Sequence, residues 1–333
     1  MRLLFDFYGV VLEINSSDRK IMENLKRDFS FFLTKERISP EITLSLQFGE
    51  IPHLKPASYP LKASLYKENV ICFDDGVKRY IDYEGKALAV YDFARKNAVI
   101  YSLERELLYE LGYLFSLSRV GEELDRKGFH RIHALGISYQ GKGYLVLLPP
   151  GGGKTTLALR LLEEEGIKLL SEDTPLISSN LKLFPFPLRI GVREGEVGER
   201  IPGKYLRKFK RRGRDTKILI DMEFFQERVS PPCPLKGLFI GERVFQSYVA
   251  INKISKISLL FPILVHFVVG WGLPQLIELT LRKGKRTVVN FEVLNRRLLV
   301  AWRIINHVES FQFLMGRDIE KNINCFLSFL KGL

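Results

Sequence analysis

Apolar and polar positions alternate with different periods in two parts of the chain, 1–125 and 126–333. Over 1–105, runs of period two bounded by turn residues predict short strands at Leu3–Phe7 and Val10–Ile14, flanking Tyr8-Gly9. The same signal recurs at Thr43–Phe48, Ala63–Leu65, Val70–Phe73, Arg79–Tyr83, Ala87–Tyr91 and Ala98–Ser102, with turns at Asp74-Asp75-Gly76 and Glu84-Gly85-Lys86. Helical spacing predicts a helix over Ser17–Phe32, capped by Ser16 or Ser17. A second is predicted from Ser102 to about Gly121, with Leu107, Leu108, Leu111, Leu114 and Phe115 on its apolar face. The first part thus reads as a β-rich meander with two helices. Its tyrosines, Tyr8, Tyr66, Tyr80, Tyr83 and Tyr91, are what such strands ordinarily carry.

The second part reads as α/β. Gly143–Leu148 is a continuous apolar run of buried-strand length, Leu157 onward has helical period, and Ile167–Leu170 is a further short strand. Leu219–Asp221, Gly237–Ile240 and Thr287–Phe291 read as strands. Gly316 to Leu333 reads as a closing helix with Ile319, Ile323, Phe326 and Leu330 on one face. No Gly-, Pro- or Ser-rich linker separates the two parts. Ile257–Leu281 is apolar and about long enough to span a bilayer. Pro262, His266, Gly270, Gly272, Pro274 and Gln275 interrupt it and Glu278 closes it, so two buried helices with a turn near Gly272-Leu273-Pro274 are expected, not a span. Asp6 interrupts the N-terminus too early for a secretory segment. The three cysteines, Cys72, Cys233 and Cys325, are sparse and form no metal-ligand spacing, so a cytoplasmic protein is expected.

The stretch with the most chemistry is Leu148-Pro-Pro-Gly-Gly-Gly-Lys-Thr-Thr156, between the Gly143–Leu148 strand and the helix. Strand, glycine turn, Gly-Lys-Thr and helix is the layout of a phosphate-binding P-loop, in which backbone N–H groups and a helix N-terminus converge on an anion. Gly151, Gly152, Gly153, Lys154, Thr155 and Thr156 are the candidate nucleotide-binding residues. Lys154 would reach the β- and γ-phosphates and Thr155 would offer its hydroxyl to Mg²⁺. Leu148 stands where the usual pattern has its first glycine. Eighteen and nineteen residues after Lys154 come Glu172 and Asp173, a pair of carboxylates at a strand end, where such proteins hold Mg²⁺ and take up a proton.

The run from His133 through Gly141, Gly143, Gly151, Gly153, Lys154 and Thr155 to Asp173 resembles the catalytic core of the HPr kinase/phosphorylase family, whose fold is shared with phosphoenolpyruvate carboxykinase. The resemblance is close over 130–180 and looser over 125–330. It implies an α/β P-loop kinase core at 126–333, preceded by a β-rich region at 1–125. It also implies Mg²⁺-ATP or another phosphoryl donor on Lys154 and the glycines, Mg²⁺ on Thr155 and Asp173, Glu172 in the general-base position or as a further metal ligand, and His133 beside the transferring phosphate. Glu172 replaces the family's Asp, and no Glu-x-Arg-Gly-x-Gly run follows residue 180, so HPr itself is not the expected acceptor. A homo-oligomer is implied as well, although no decisive interface signal is visible in the sequence.

The net charge of +13 favours anionic ligands. No helix-turn-helix, zinc-finger or RNA-binding aromatic pattern accompanies it, so nucleic acid is not an expected partner. A basic run, Lys204 to Lys217, reads either as a solvated loop or as a lid over donor phosphates, with Arg211, Arg212 and Arg214 as the arginines of such a lid. The expected activity is transfer of a phosphoryl group to a hydroxyl on a peptide, a protein or a small molecule. The alternatives are a nucleotide sensor without catalysis, or the same site run in reverse as a phosphorylase or phosphatase.

Overall fold

The computed structural model describes residues 1–36, 38–53, 60–195, 201–210, 216–273 and 286–333, with side chains from 291 onward in the last stretch. The chain is mixed α/β, with two large sheets and several helices. It divides into two compact units. Met1–Leu124 and Val192–Glu223 belong to the first. Asp125–Gly191, Phe224–Leu273 and Gly284–Leu333 belong to the second.

The sheet of the first unit contains β1 (Arg2–Phe7), β2 (Val10–Ser16), β3 (Leu33–Thr34), β4 (Ile42–Phe48), β5 (Ala63–Lys67), β6 (Val70–Asp74), β7 (Lys78–Asp82), β8 (Ala87–Asp92) and β9 (Asn97–Ser102), in the order β3-β1-β2-β4-β9-β8-β7-β6-β5. β5 to β9 form the expected antiparallel meander, but β4 pairs in parallel with both β2 and β9. Two helices cover it. α1 (Arg19–Asp28) begins at Asp18, whose carboxylate accepts from the Ile21 N–H at 3.0 Å, so the cap is neither Ser16 nor Ser17. α2 (Arg105–Arg126) is longer than its pattern predicts. Phe5 and Phe7 each pack edge to face on Phe29, and Phe29 stacks on Tyr113 of α2 at 5.3 Å.

After β16 (Ile190–Arg193), the basic run forms β17 (Leu206–Phe209) and β18 (Lys217–Ile220), an antiparallel pair in the first unit. Arg207 is therefore not a lid residue. Its guanidinium pairs with Asp28 at 2.5 Å and Asp221 at 2.7 Å, and donates to the Tyr109 hydroxyl at 3.0 Å. The two carboxylates raise the pKa of Arg207 well above its ordinary value, against the opposing effect of burial. Arg211, Arg212 and Arg214 lie outside the described residues.

The second unit is built on a sheet containing β10 (Phe129–Arg131), β11 (Leu135–Tyr139), β12 (Lys142–Leu147), β13 (Ile167–Ser171), β14 (Leu176–Ser178), β15 (Lys182–Phe184) and β19 (Cys233–Arg243), extended by β20 (Ala250–Lys253) and β21 (Glu309–Met315). β12, β19 and β21 are mutually parallel. Alternate residues of β12 and β19 serve opposite faces. Leu145, Leu147 and Leu238 share a core with Leu259, Ile263, Val300 and Ile304 of α4 (Lys256–Ile263) and α5 (Arg286–His307). Phe239 instead meets Phe326 of α6 (Ile319–Lys331) at 4.9 Å, on the face that also holds Phe313. The strand expected at Thr287–Phe291 is the first turn and a half of α5. The β-branched Thr287, Val288 and Val289 favour a strand locally, but Val300, Ala301 and Ile304 further along bury a helical face, and that packing decides the segment. The apolar segment at 257 forms α4 and one turn of π-helix, Leu264–Val269, ending at Gly270–Leu273; its expected second helix lies outside the described residues. Among the described residues no helix is long and apolar enough to cross a membrane.

Arg207→Ala should remove the cation shared by Asp28 and Asp221, whose side chains are 0% and 1% exposed, leaving Asp221 its pair with Arg27 and Asp28 its hydrogen bond from the Tyr109 hydroxyl. The expected loss is about 3–5 kcal/mol, read as a lower urea midpoint. Arg207→Lys should recover only part of it, because an ammonium cannot bridge two carboxylates and a phenol in one plane.

Candidate functional site

Strand directions bring four chain segments to one edge of the second sheet. β11 runs antiparallel to β12 and to β13, and β19 runs parallel to β12. Leu135 is thereby level with Val146, Gly136 with Ser171, and Ile240 with Leu147. The start of β11 and the ends of β12, β13 and β19 therefore face the same way. His133 precedes β11, the glycine turn follows β12, Glu172 and Asp173 follow β13, and Arg243 ends β19.

The turn after β12 is shaped by two glycines in the left-handed region, Gly151 at φ +77° and Gly153 at φ +91°. Gly153 is the N-cap of α3 (Lys154–Leu161), so the unpaired N–H groups of the first turn of α3 open beside Lys154 and Thr155. Leu148, at the position where a glycine is usual, is fully buried. A Cβ on Gly241 of β19 would come within 2.4 Å of its Cδ2, so that glycine leaves the space Leu148 fills. The helical pattern that starts at Leu157 runs in sequence to Glu165, and α3 ends about one turn earlier, at Leu161.

Asp173 ties the site together. Its carboxylate takes a hydrogen-bonded ion pair from Lys154 and lies 3.1 Å from His133 Nε2. Burial raises the pKa of Asp173, but the His133 contact and the Lys154 charge outweigh it, and the carboxyl drops to about 2. Its side chain keeps 38% of its surface open while those of Lys154 and His133 are nearly closed off. The Ser171 hydroxyl accepts the Thr174 N–H at 3.0 Å, and Ala134 N–H donates to Asp173 O at 3.1 Å, which sets the carboxylates at the strand end. Thr155 donates its hydroxyl to Glu172 Oε1 at 2.5 Å. Thr156, next along α3, is exposed.

His133 is oriented from the far side. Its Nδ1 donates to Trp271 O at 2.7 Å, which turns Nε2 towards Asp173. The neighbouring residue, Gly272, has φ +92°, and a Cβ there would stand 2.2 Å from the imidazole, so only glycine admits the ring in this place. His133 N–H also bonds to His266 O at 3.0 Å, and the two imidazole rings are 5.5 Å apart. Burial first, then the charges of His133 and Lys154, lower the pKa of His266 to about 4. Its Nδ1 is buried without a hydrogen-bond partner.

Sequence reading named His133, the glycine turn, Lys154, Thr155, Glu172 and Asp173, and the structure brings these together in one unit. His266 and Gly272 read in the sequence only as interruptions of an apolar segment and Trp271 as part of that segment, and Arg243 carries no signal there. The Arg243 guanidinium lies about 4 Å from where a Gly153 side chain would begin, and it donates to Gly316 O at 3.1 Å. Nothing near Arg243 in the sequence marks it, because its place depends on β19 lying beside β12. Thr155, Glu172 and Asp173 offer the hard oxygen donors that suit a magnesium ion completed by substrate oxygens and water. Among the described residues no group of three or more His, Cys, Asp and Glu side chains forms a metal cage.

No family model matches this sequence, and no curated protein sequence matches it.

Gly272→Ala should force the His133 ring aside and hold alanine in left-handed backbone, for an expected loss of about 2–5 kcal/mol in urea unfolding. His266 predicts a pH signature. Its folded pKa lies below its unfolded value near 6.5, so the unfolded chain binds the proton first and stability falls as pH drops from 6.5 towards 4. Asp173, depressed to about 2, adds a second loss as pH falls from about 4 towards 2. His266→Gln should flatten the first limb and leave the second, in urea midpoints measured across pH.

Proposed function

We propose that this chain is a phosphotransferase that binds a nucleoside phosphate at the Gly151–Thr156 turn and passes its terminal phosphoryl group to a hydroxyl. The observation that carries the reading is the convergence of Lys154, His133 and Asp173 beside the open N-terminus of α3, with Thr155 paired to Glu172. The backbone N–H groups of the turn and α3 hold donor phosphate oxygens, and Lys154 and Arg243 carry positive charge to the same place. The α/β P-loop kinase core of the HPr kinase and phosphoenolpyruvate carboxykinase type is the fold that this reading assigns to the second unit.

Residues divide by their surroundings. Thr155 and Glu172, already in contact, are the pair that would hold Mg²⁺, with Asp173 next to them. Bound there, the ion would neutralise phosphate oxygens as charge shifts to the leaving group. Asp173 is a weak base while Lys154 lies against it. When Lys154 turns to the donor phosphate, Asp173 loses that counter-charge and its basicity rises. The acceptor oxygen then attacks the terminal phosphorus, the bond to the bridging oxygen breaks, and the acceptor proton passes to the carboxylate. His133, held at Nδ1 by Trp271 O, keeps its Nε2 side on Asp173 and the phosphoryl group. Asp173 is assigned the base role that sequence position gives to Glu172, because Glu172 is the one engaged by Thr155.

The test incubates the chain with Mg²⁺ and each γ- or β-labelled donor in turn (ATP, ADP, GTP, pyrophosphate) and a panel of free serine, serine peptides and small alcohols. Label should appear on one acceptor class, and Lys154→Ala and Asp173→Asn should each lower the rate by about 10²–10³. Donor binding with no transfer to any hydroxyl would replace this reading with that of a nucleotide sensor. Loss of label only when inorganic phosphate is added to phosphorylated acceptor would identify the reverse reaction.

A further inference from the structure

The strand order of the second unit gives the glycine turn two unlike sides. β11 and β13, with His133, Glu172 and Asp173, lie to one side of β12, while β19 and then β21 lie to the other. The loop 244–249 leaves the end of β19 and passes the end of β21 to reach β20. It is firmly anchored there. Val244 N–H donates to Met315 O at 3.0 Å, and Arg317 N–H donates to Gln246 O at 3.3 Å. Gly316 lies against the loop, and a Cβ on it would come within 2.8 Å of Tyr248 O. Asn322 of α6, fully buried, accepts the Gly316 N–H at 2.9 Å and donates to Gly316 O at 3.0 Å. The same carbonyl accepts from Arg243 at 3.1 Å, so the loop's support and the cation beside Gly153 share one anchor. Phe245 stands on this support. The Arg317 guanidinium lies 3.7 Å over its ring, yet Phe245 stays 73% exposed, so its other face is open.

We infer that Phe245, backed by Arg317, is the seat of a nucleobase, and that the donor is therefore a nucleotide and not an inorganic polyphosphate. The inference rests on the reading of Gly151–Thr156 as a phosphate site and names what that site takes. The carboxylates suited to the metal, and with them the terminal phosphoryl group, belong to the β11–β13 side. The remainder of a donor then extends the other way, from the start of α3 towards β19 and β21. Arg243, at the end of the first strand in that direction, is placed to meet the phosphate nearest the ribose. The loop over β21 is two strand spacings from β12, about 10 Å, a span that a ribose bridges. An aromatic ring with one face open accepts a base by stacking, and a guanidinium on its other face fixes the ring in place. A single exposed phenylalanine has no meaning by itself. Phe245 differs because its loop is fastened to the carbonyl that also holds Arg243, beside the turn.

The test is titration calorimetry of the full chain with Mg²⁺-ATP and, separately, Mg²⁺-tripolyphosphate, which carries the same three phosphates without ribose or base. Phe245→Ala should weaken ATP by about 5- to 100-fold and leave tripolyphosphate within about twofold of wild type. Phe245→Trp, which keeps a stacking face, should hold ATP as wild type does. Equal weakening of both ligands in Phe245→Ala would overturn the inference, as would ATP affinity that does not change, or a wild type that binds tripolyphosphate but not ATP. In each of these cases tripolyphosphate binding that is lost in Lys154→Ala leaves the phosphate site standing. If wild type binds neither ligand, the phosphate reading falls and this inference falls with it. If Phe245→Ala does not fold by circular dichroism, Phe245→Leu against Phe245→Trp decides the question, since leucine fills the position without a ring face.

Discussion

The Asp173 carboxylate is where the second unit's separate segments become one site. Three chain segments meet on it: the start of α3 through Lys154, the approach to β11 through His133, and the end of β13 that carries Asp173 itself. A fourth, the Gly270–Leu273 turn, is tied in through His133 and Trp271 O. An ammonium this closed off from water is costly unless paired, and the same pairing holds the carboxylate ionised. Binding an external anion at the turn must therefore exchange one partner of Lys154 for another.

That constraint explains the tightness around His133. Its ring lies between Asp173 and Trp271 O with Gly272 pressed against its edge, and any side chain at residue 272 would occupy the imidazole's own volume. His266 is held neutral beside it by burial and by the nearby cations, and so adds no further positive charge to the site near neutral pH. The order of the site thus comes from two kinds of restraint. One is electrostatic, centred on Asp173. The other is steric, centred on a glycine that sequence patterning treats as a break.

The first unit shows the same logic away from the site. Arg207 reads as one more cation in a basic run, yet it is the buried partner of Asp28 and Asp221. The run's charge pattern is the same whether its arginines point outward or inward. Only pairing with α1 and α2 makes the difference, and no local window contains that information. Thr287–Phe291 is the converse case, where a local preference for strand yields to the burial of Val300, Ala301 and Ile304 further along α5.

The sequence by itself determined what is contiguous. The strand, glycine turn, lysine, threonine and helix are one unbroken segment, and the carboxylate pair follows one short strand later, so their types and spacing carry the chemistry without knowledge of the fold. The meander of β5 to β9 was legible for the same reason, since each strand pairs with its neighbour in sequence. Tertiary structure alone decided the parallel pairings of β4 with β2 and β9 and of β19 with β12, and with the last of these the arrival of Arg243 beside the turn. It also decided that His266, Trp271 and Gly272, over a hundred residues from His133, would surround it. Those outcomes depend on which distant surfaces meet, and hydrophobic periodicity records that a face is to be covered but not by what.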